Sequence, residues 1–174
     1  MQPVVRGSLT VLMLVTIFIT GTACTTESST SDVGTHSPES SSSEDTRQER
    51  ANALLDYVES ERAVLPRIRE AFPGVYSETR VEGSLETQDG SRGLRAGEYA
   101  VVWYYYTYAQ PMDWSVTMDA LDSQRAELDQ LCKSTIMPAM SAAGVAGPKS
   151  AVWSYSDPRS EFGPMWSHTC SQWE

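Results

Sequence analysis

Cys132, His168 and Cys170 are the residues from which a reactive centre would most readily be built: two sulfurs and an imidazole can hold a metal, and a thiol relayed by an imidazole can act as a nucleophile. The rest of the chain supports neither use. Tetrahedral zinc takes four ligands, or three and a water in an open site, and the chain's other histidine, His36, sits in a serine- and threonine-rich stretch where it has no assigned role. Outside the cell the two cysteines would pair, and a thiol held in a disulfide attacks nothing. No glycine-rich phosphate loop, GxSxG elbow or HExxH pair is present. The carboxylates are spaced as on solvated helix faces, which argues against a paired-acid hydrolase, and no metal or cofactor is expected.

Aromatic side chains are the stronger candidates. Residues 97–110, GEYAVVWYYYTYAQ, hold five tyrosines, a tryptophan and two valines with no lysine or arginine among them, the composition of a buried and central strand. Val75 to Leu85 alternates with period two, setting Tyr76, Glu78, Arg80 and Glu82 on one side. If that side adjoins Trp103 and Tyr105 on an uncovered sheet face, aromatic surface and both charge signs meet there. Such a face suits stacking on a glycan or anchoring a protein partner, with Arg80 lying on Trp103 as a cation–π pair. The competing reading is a set of cross-strand pairs that only stabilise the sheet. Periodicity alone leaves open which face of 97–110 is buried.

Stepping outward from these residues, the 174-residue chain begins with Arg6 and an apolar run from Leu9 to Ile19, too short for a permanent span of about 20 residues and flanked as an export signal is. Small residues at Gly21 and Ala23 suit cleavage before Cys24. The stretch resembles the lipobox of bacterial lipoproteins, although that motif usually has a large aliphatic residue where Gly21 stands. The resemblance implies a diacylglyceryl (palmitate-type) anchor on Cys24 and a domain held on the outer side of the cytoplasmic membrane. The alternative is a secreted, unlipidated protein cut at the same bond. Acylation of Cys24 removes one of three cysteines, and Cys132 and Cys170 can then form a disulfide. After cleavage 12 basic face 23 acidic residues, a balance unsuited to nucleic acid or to anionic lipid headgroups.

The expected organisation is a signal peptide over 1–23, a lipidated cysteine and polar tether over 24–43, and a single domain over 44–174. The tether has almost no apolar residue with which to offset its ordering entropy. In the domain, Leu54, Val58, Leu65, Ile68 and Phe72 make a helical stripe with Leu55 beside it, interrupted at Pro66 and stopped by Pro73 and Gly74. Asp113 is positioned to cap a second, long helix with Leu121, Leu128, Leu131, Cys132, Ile136, Met140 and Ala143 on its apolar side, a kink at Pro138 and an end at Gly144. Acids gather toward its front at Asp119, Asp122, Glu127 and Asp129. Two short strands follow, Ala151 to Tyr155 and Pro164 to Cys170, with Trp166, His168 and Cys170 on one side of the last. The pattern predicts an α+β domain of order α-β-β-α-β-β, an antiparallel sheet of about four strands with two helices on one face.

At residues 76–82 (YSETRVE), 104–108 (YYYTY) and 142–145 (AAGV), the chain resembles a domain-of-unknown-function family of small bacterial lipoproteins, over roughly Glu44 to Tyr155. The resemblance implies location and fold and brings no activity. It also implies that Val102, Tyr104, Tyr106 and Tyr108 face the helices, leaving Trp103, Tyr105 and Thr107 on the open face. The function expected from all this is a non-catalytic, membrane-tethered binding or interaction module using Trp103, Tyr105, Tyr76 and Arg80 toward an envelope protein or glycan. A structural or stress-related envelope protein without a ligand, and then an envelope hydrolase, are the alternatives.

Overall fold

The computed structural model describes residues 41–91 and 94–173. The expected signal peptide, Cys24 and most of the tether lie outside these residues. Helix α1 (Ser41–Arg62) starts three residues before the expected beginning of order at Glu44. It turns Leu54, Tyr57 and Val58 into the core and leaves Leu55 exposed. The chain turns at residues 63–64 and resumes as α2 (Leu65–Ala71), with Pro66 in its first turn, where a missing N–H costs no helical hydrogen bond.

Strands β1 (Tyr76–Gln88), β2 (Gly97–Tyr108), β3 (Lys149–Ser156) and β4 (Trp166–Gln172) lie side by side in chain order. The sheet is mixed, which corrects the expected all-antiparallel arrangement. β1 and β4 run antiparallel to their neighbours, but β2 and β3 are parallel, from Ala100 opposite Lys149 to Thr107 opposite Ser156. The reason is the connection. A helical run of about 29 residues rises roughly 43 Å, about the length of the 12-residue β2, so it carries the chain back to the end where β2 began. Parallel pairing needs such a crossover.

That run is segmented. Asp113 caps α3 (Trp114–Ser123) by accepting the Ser115 N–H at 3.1 Å. After a break at Gln124 come α4 (Arg125–Leu131), a wide π turn (Cys132–Ile136) and α5 (Met137–Ala142). Pro138 has no N–H and its ring would press on the carbonyl of Ser134; the widened turn just before it relieves both.

The main core lies between the sheet and these helices. Val81, Val102, Tyr104, Ala151, Trp153, Trp166 and Cys170 meet Leu54, Val58, Leu121, Cys132, Ile136, Met137 and Met140 there. Cys132 and Cys170 are disulfide-bonded, with Cα atoms 6.5 Å apart. A smaller cluster of Tyr99, Val101 and Val152, with Trp103 packed on it, occupies the opposite face. Helix α1 approaches β1 where β1 has no side chain. A Cβ on Gly83 would stand 2.7 Å from Val58 Cγ2 and 3.0 Å from Leu54 Cγ, and those residues are 0% and 2% exposed, with nowhere to move. Gly83→Ala is therefore expected to cost about 1–3 kcal/mol of stability, read from a lowered urea midpoint. An unchanged midpoint would mean that α1 sits less tightly on β1 than described.

Candidate functional site

Trp103 and Tyr105 leave β2 on the face away from the helices, half-buried, with nearly parallel rings 8° apart in plane and 6.0 Å apart in centroid. Alternation along β1 brings Arg80 opposite Tyr105, Glu82 opposite Trp103, and, past Ser84 opposite Val101, Glu86 opposite Tyr99. The Arg80 guanidinium lies over the Tyr105 ring at 4.4 Å, not over Trp103 as expected. Register explains the correction, since Arg80 is the direct cross-strand neighbour of Tyr105. Arg80 also bonds Glu82 at 2.7 Å and lies 3.8 Å from Glu78. The Trp103 indole N–H donates to Glu86 Oε1 at 2.9 Å, and the Ser84 hydroxyl donates to the same oxygen at 2.6 Å. Burial, with Glu82 nearby, holds the Tyr105 phenol above its ordinary pKa against the pull of Arg80. A cavity of about 400 Å³ adjoins the pair and crosses the edge of β1 at Gly83 to reach Leu55 and Arg62 of α1.

Tyr76 does not belong to this group. A bulge between Tyr76 and Glu78 inserts one residue, so Tyr76 pairs with Tyr108 while Glu78 pairs with Thr107. The extra residue flips Tyr76 to the helix side, where it packs on Tyr106 and Tyr108 with ring centroids at 5.4 Å in each case, and edge-on to Phe72. Strict alternation from Val75 hides this. Glu86 was missed because the strand was expected to end at Leu85, whereas β1 runs on to Gln88; alternation continued from Glu82 through Ser84 would have found it.

His168 is surrounded rather than free. Its Nε2 lies 2.8 Å from Asp129 Oδ1, and its Nδ1 lies 3.0 Å from Arg125. A guanidinium only donates, so Nδ1 accepts and Nε2–H donates to Asp129, a neutral imidazole wedged beside Trp153 and Trp166. Arg125 also lies over the Trp166 ring, and both Arg125 and the Trp166 indole donate to Asp122 Oδ1. These bonds tie α3 and α4 to β4. Cys132 and Cys170 are committed to each other, and among the described residues no group of three or more His, Cys, Asp or Glu side chains could hold a metal.

A larger hollow, of about 650 Å³, lies between the loop after β2 and the loop after β3, lined by residues that include Trp114, Asp157 and Arg159. Asp157 is another residue missed by sequence reasoning. Its buried carboxylate accepts the Met112 N–H at 2.8 Å, the Trp114 indole N–H at 3.1 Å and the Arg159 N–H at 2.9 Å, and it pairs with the Arg159 guanidinium, which also reaches the Met112 carbonyl. The Met112 N–H first, and then the Arg159 groups, hold its carboxyl well below the usual carboxylate range. The Met112 and Trp114 bonds to Asp157 and the reach of Arg159 to the Met112 carbonyl join one loop to the other, while the Asp157–Arg159 contacts brace the second loop from within, so the group acts as a clamp.

Comparisons of the chain with family models, curated proteins and solved structures return no match.

Proposed function

We propose that this chain is an exported, lipid-anchored bacterial envelope protein of the small-lipoprotein kind that its sequence resembles. In this reading it serves as a non-catalytic binding module, held by Cys24 on the outer side of the cytoplasmic membrane. The observation that carries the binding reading is the convergence of Trp103, Tyr105, Arg80, Glu82 and Glu86 on the helix-free face. It joins half-exposed aromatic surface to charges of both signs beside a cavity, the mixture by which glycans and protein anchors are held. A second reading, a structural envelope protein without a ligand, is favoured by one feature: Trp103 is already bonded to Glu86 and Arg80 to Glu82, as pairs serving only the sheet would be.

Capture from envelope extract decides between them, with the intact protein run beside a folded Trp103→Ser, Tyr105→Ser variant. Capture that falls at least tenfold in the variant supports the module, and equal capture, or none, sinks it. For the anchor, intact-mass measurement of membrane-extracted protein should show a diacylglyceryl addition on an N-terminal Cys24. An unmodified terminus there would remove the lipid from the proposal.

A further inference from the structure

The outer edge of β1 borders the same cavity as the aromatic pair but offers backbone in place of rings. β1 is 13 residues long and pairs with β2 alone among the described strands, so one side of its backbone has no partner strand among the described residues. The direction of that side follows from one contact: Arg62 Nε donates to the Val81 carbonyl at 3.0 Å, so Val81 points its backbone outward, and by alternation so do Gly83, Leu85 and Thr87. Among the described residues no turn or loop backbone group bonds to those three. Arg62 closes the row at one end.

Edge strands left in this state are templates for another chain unless blocked. Here the block is partial. Arg80 offsets one of the two charges of Glu78 and Glu82, and past them β1 presents Glu86 with no further arginine or lysine, so the strand keeps a net negative charge. Gly83 adds no side chain at the edge, and the cavity crosses the strand at that point, with exposed Leu55 on its helix side. A fifth strand laid along Gly83–Thr87 would alternate in the same way, placing every second side chain beside Glu82 and Glu86 and the others beside Leu55. We infer that the β1 edge takes an extended peptide segment as an added strand, basic at alternate positions and aliphatic between them. The chain's formal charge of −10 draws such a segment in.

The probe is a capped hexapeptide alternating lysine and valine, added to the intact chain and followed by amide hydrogen exchange. Exchange at Gly83, Leu85 and Thr87 should slow at least tenfold while Ser84 and Glu86, already bonded to β2, hold their rates. The same peptide with glutamate for lysine, or N-methylated on the bonding edge, should produce no slowing. Slowing by the glutamate peptide overturns the charge assignment, slowing by the N-methylated peptide overturns strand addition, and unchanged exchange with the lysine peptide overturns the site. Because the readout is the backbone of β1, loss of the Trp103 and Tyr105 proposal would leave this result standing, and the reverse.

Discussion

Replacing Cys132 and Cys170 together by alanine is expected to remove about 4 kcal/mol of stability, the largest loss available from so small a change in volume. The bridge spans 38 positions, and closing a loop of that size restricts the unfolded chain by about that amount in the chain-entropy account. Its position adds to the effect. Cys132 opens the π turn on the crossover and is fully buried, while Cys170 lies near the end of the edge strand β4. The bond therefore fastens the last strand to the helical layer that covers it, beside the polar contacts that Trp166 and His168 make with Asp122, Arg125 and Asp129 of α3 and α4. Urea unfolding of the variant should show a lowered midpoint with a steeper denaturant dependence, because an uncrosslinked unfolded chain exposes more surface. A loss under about 1 kcal/mol, or two free thiols at these positions in the denatured native chain, would show that the bond does not carry this role.

How far the sequence discloses this fold follows from which physical signal each element rests on. Leu54 and Val58 of the expected stripe and the aromatic strand were legible because burial of a face is written in local periodicity, whereas Leu65, Ile68 and Phe72 of the same stripe are only half-buried. Pro66 was legible because a ring without an N–H must stand at a helix start or break it. Strand direction was not legible: whether β3 runs with β2 or against it depends on where a crossover of nearly 30 residues ends, a global matter that no local pattern records. Tyr76 was misplaced for a related reason. One bulged residue reverses facing at an end of β1 without changing composition, so the alternation read from Val75 to Leu85 holds from Glu78 onward and fails before it. Asp157 lies in the loop SDPRSEFG, where no local pattern marks it, and its buried clamp depends on Met112 and Trp114 arriving from another loop.

Alkaline unfolding should be abrupt and should coincide with tyrosine ionisation. Besides Tyr108, whose pKa burial also raises, five phenols lie between the sheet and the helices: Tyr57, Tyr76, Tyr104, Tyr106 and Tyr155. Burial, before any charge effect, raises each above the ordinary value near 10, and Glu61 adds repulsion at Tyr57, Tyr104 and Tyr106. Tyr57 and Tyr104 share a hydrogen bond at 3.0 Å, and the Tyr104 hydroxyl lies 3.2 Å from Glu61. With the folded pKa raised, the native state keeps protons that the unfolded chain gives up, so stability is intact below about pH 10 and falls as pH rises beyond it. Each phenol contributes a slope of about 1.4 kcal/mol per pH unit once its unfolded counterpart is ionised, and five together about 7. Against a typical total of about 5–15 kcal/mol, the domain should unfold within roughly one to two units above pH 10, before the buried phenols titrate in place. Tyrosinate absorbance and near-ultraviolet dichroism should therefore change together in one cooperative step. Tyr106→Phe separates this cause from others: Tyr106 stacks on Tyr155 at 5.0 Å, a contact phenylalanine can keep, and the change removes one of the five protons. Stability at neutral pH should stay nearly the same while the alkaline midpoint moves up. Gradual ionisation near pH 10 with unchanged dichroism would show instead that these phenols are reached by water in the folded state.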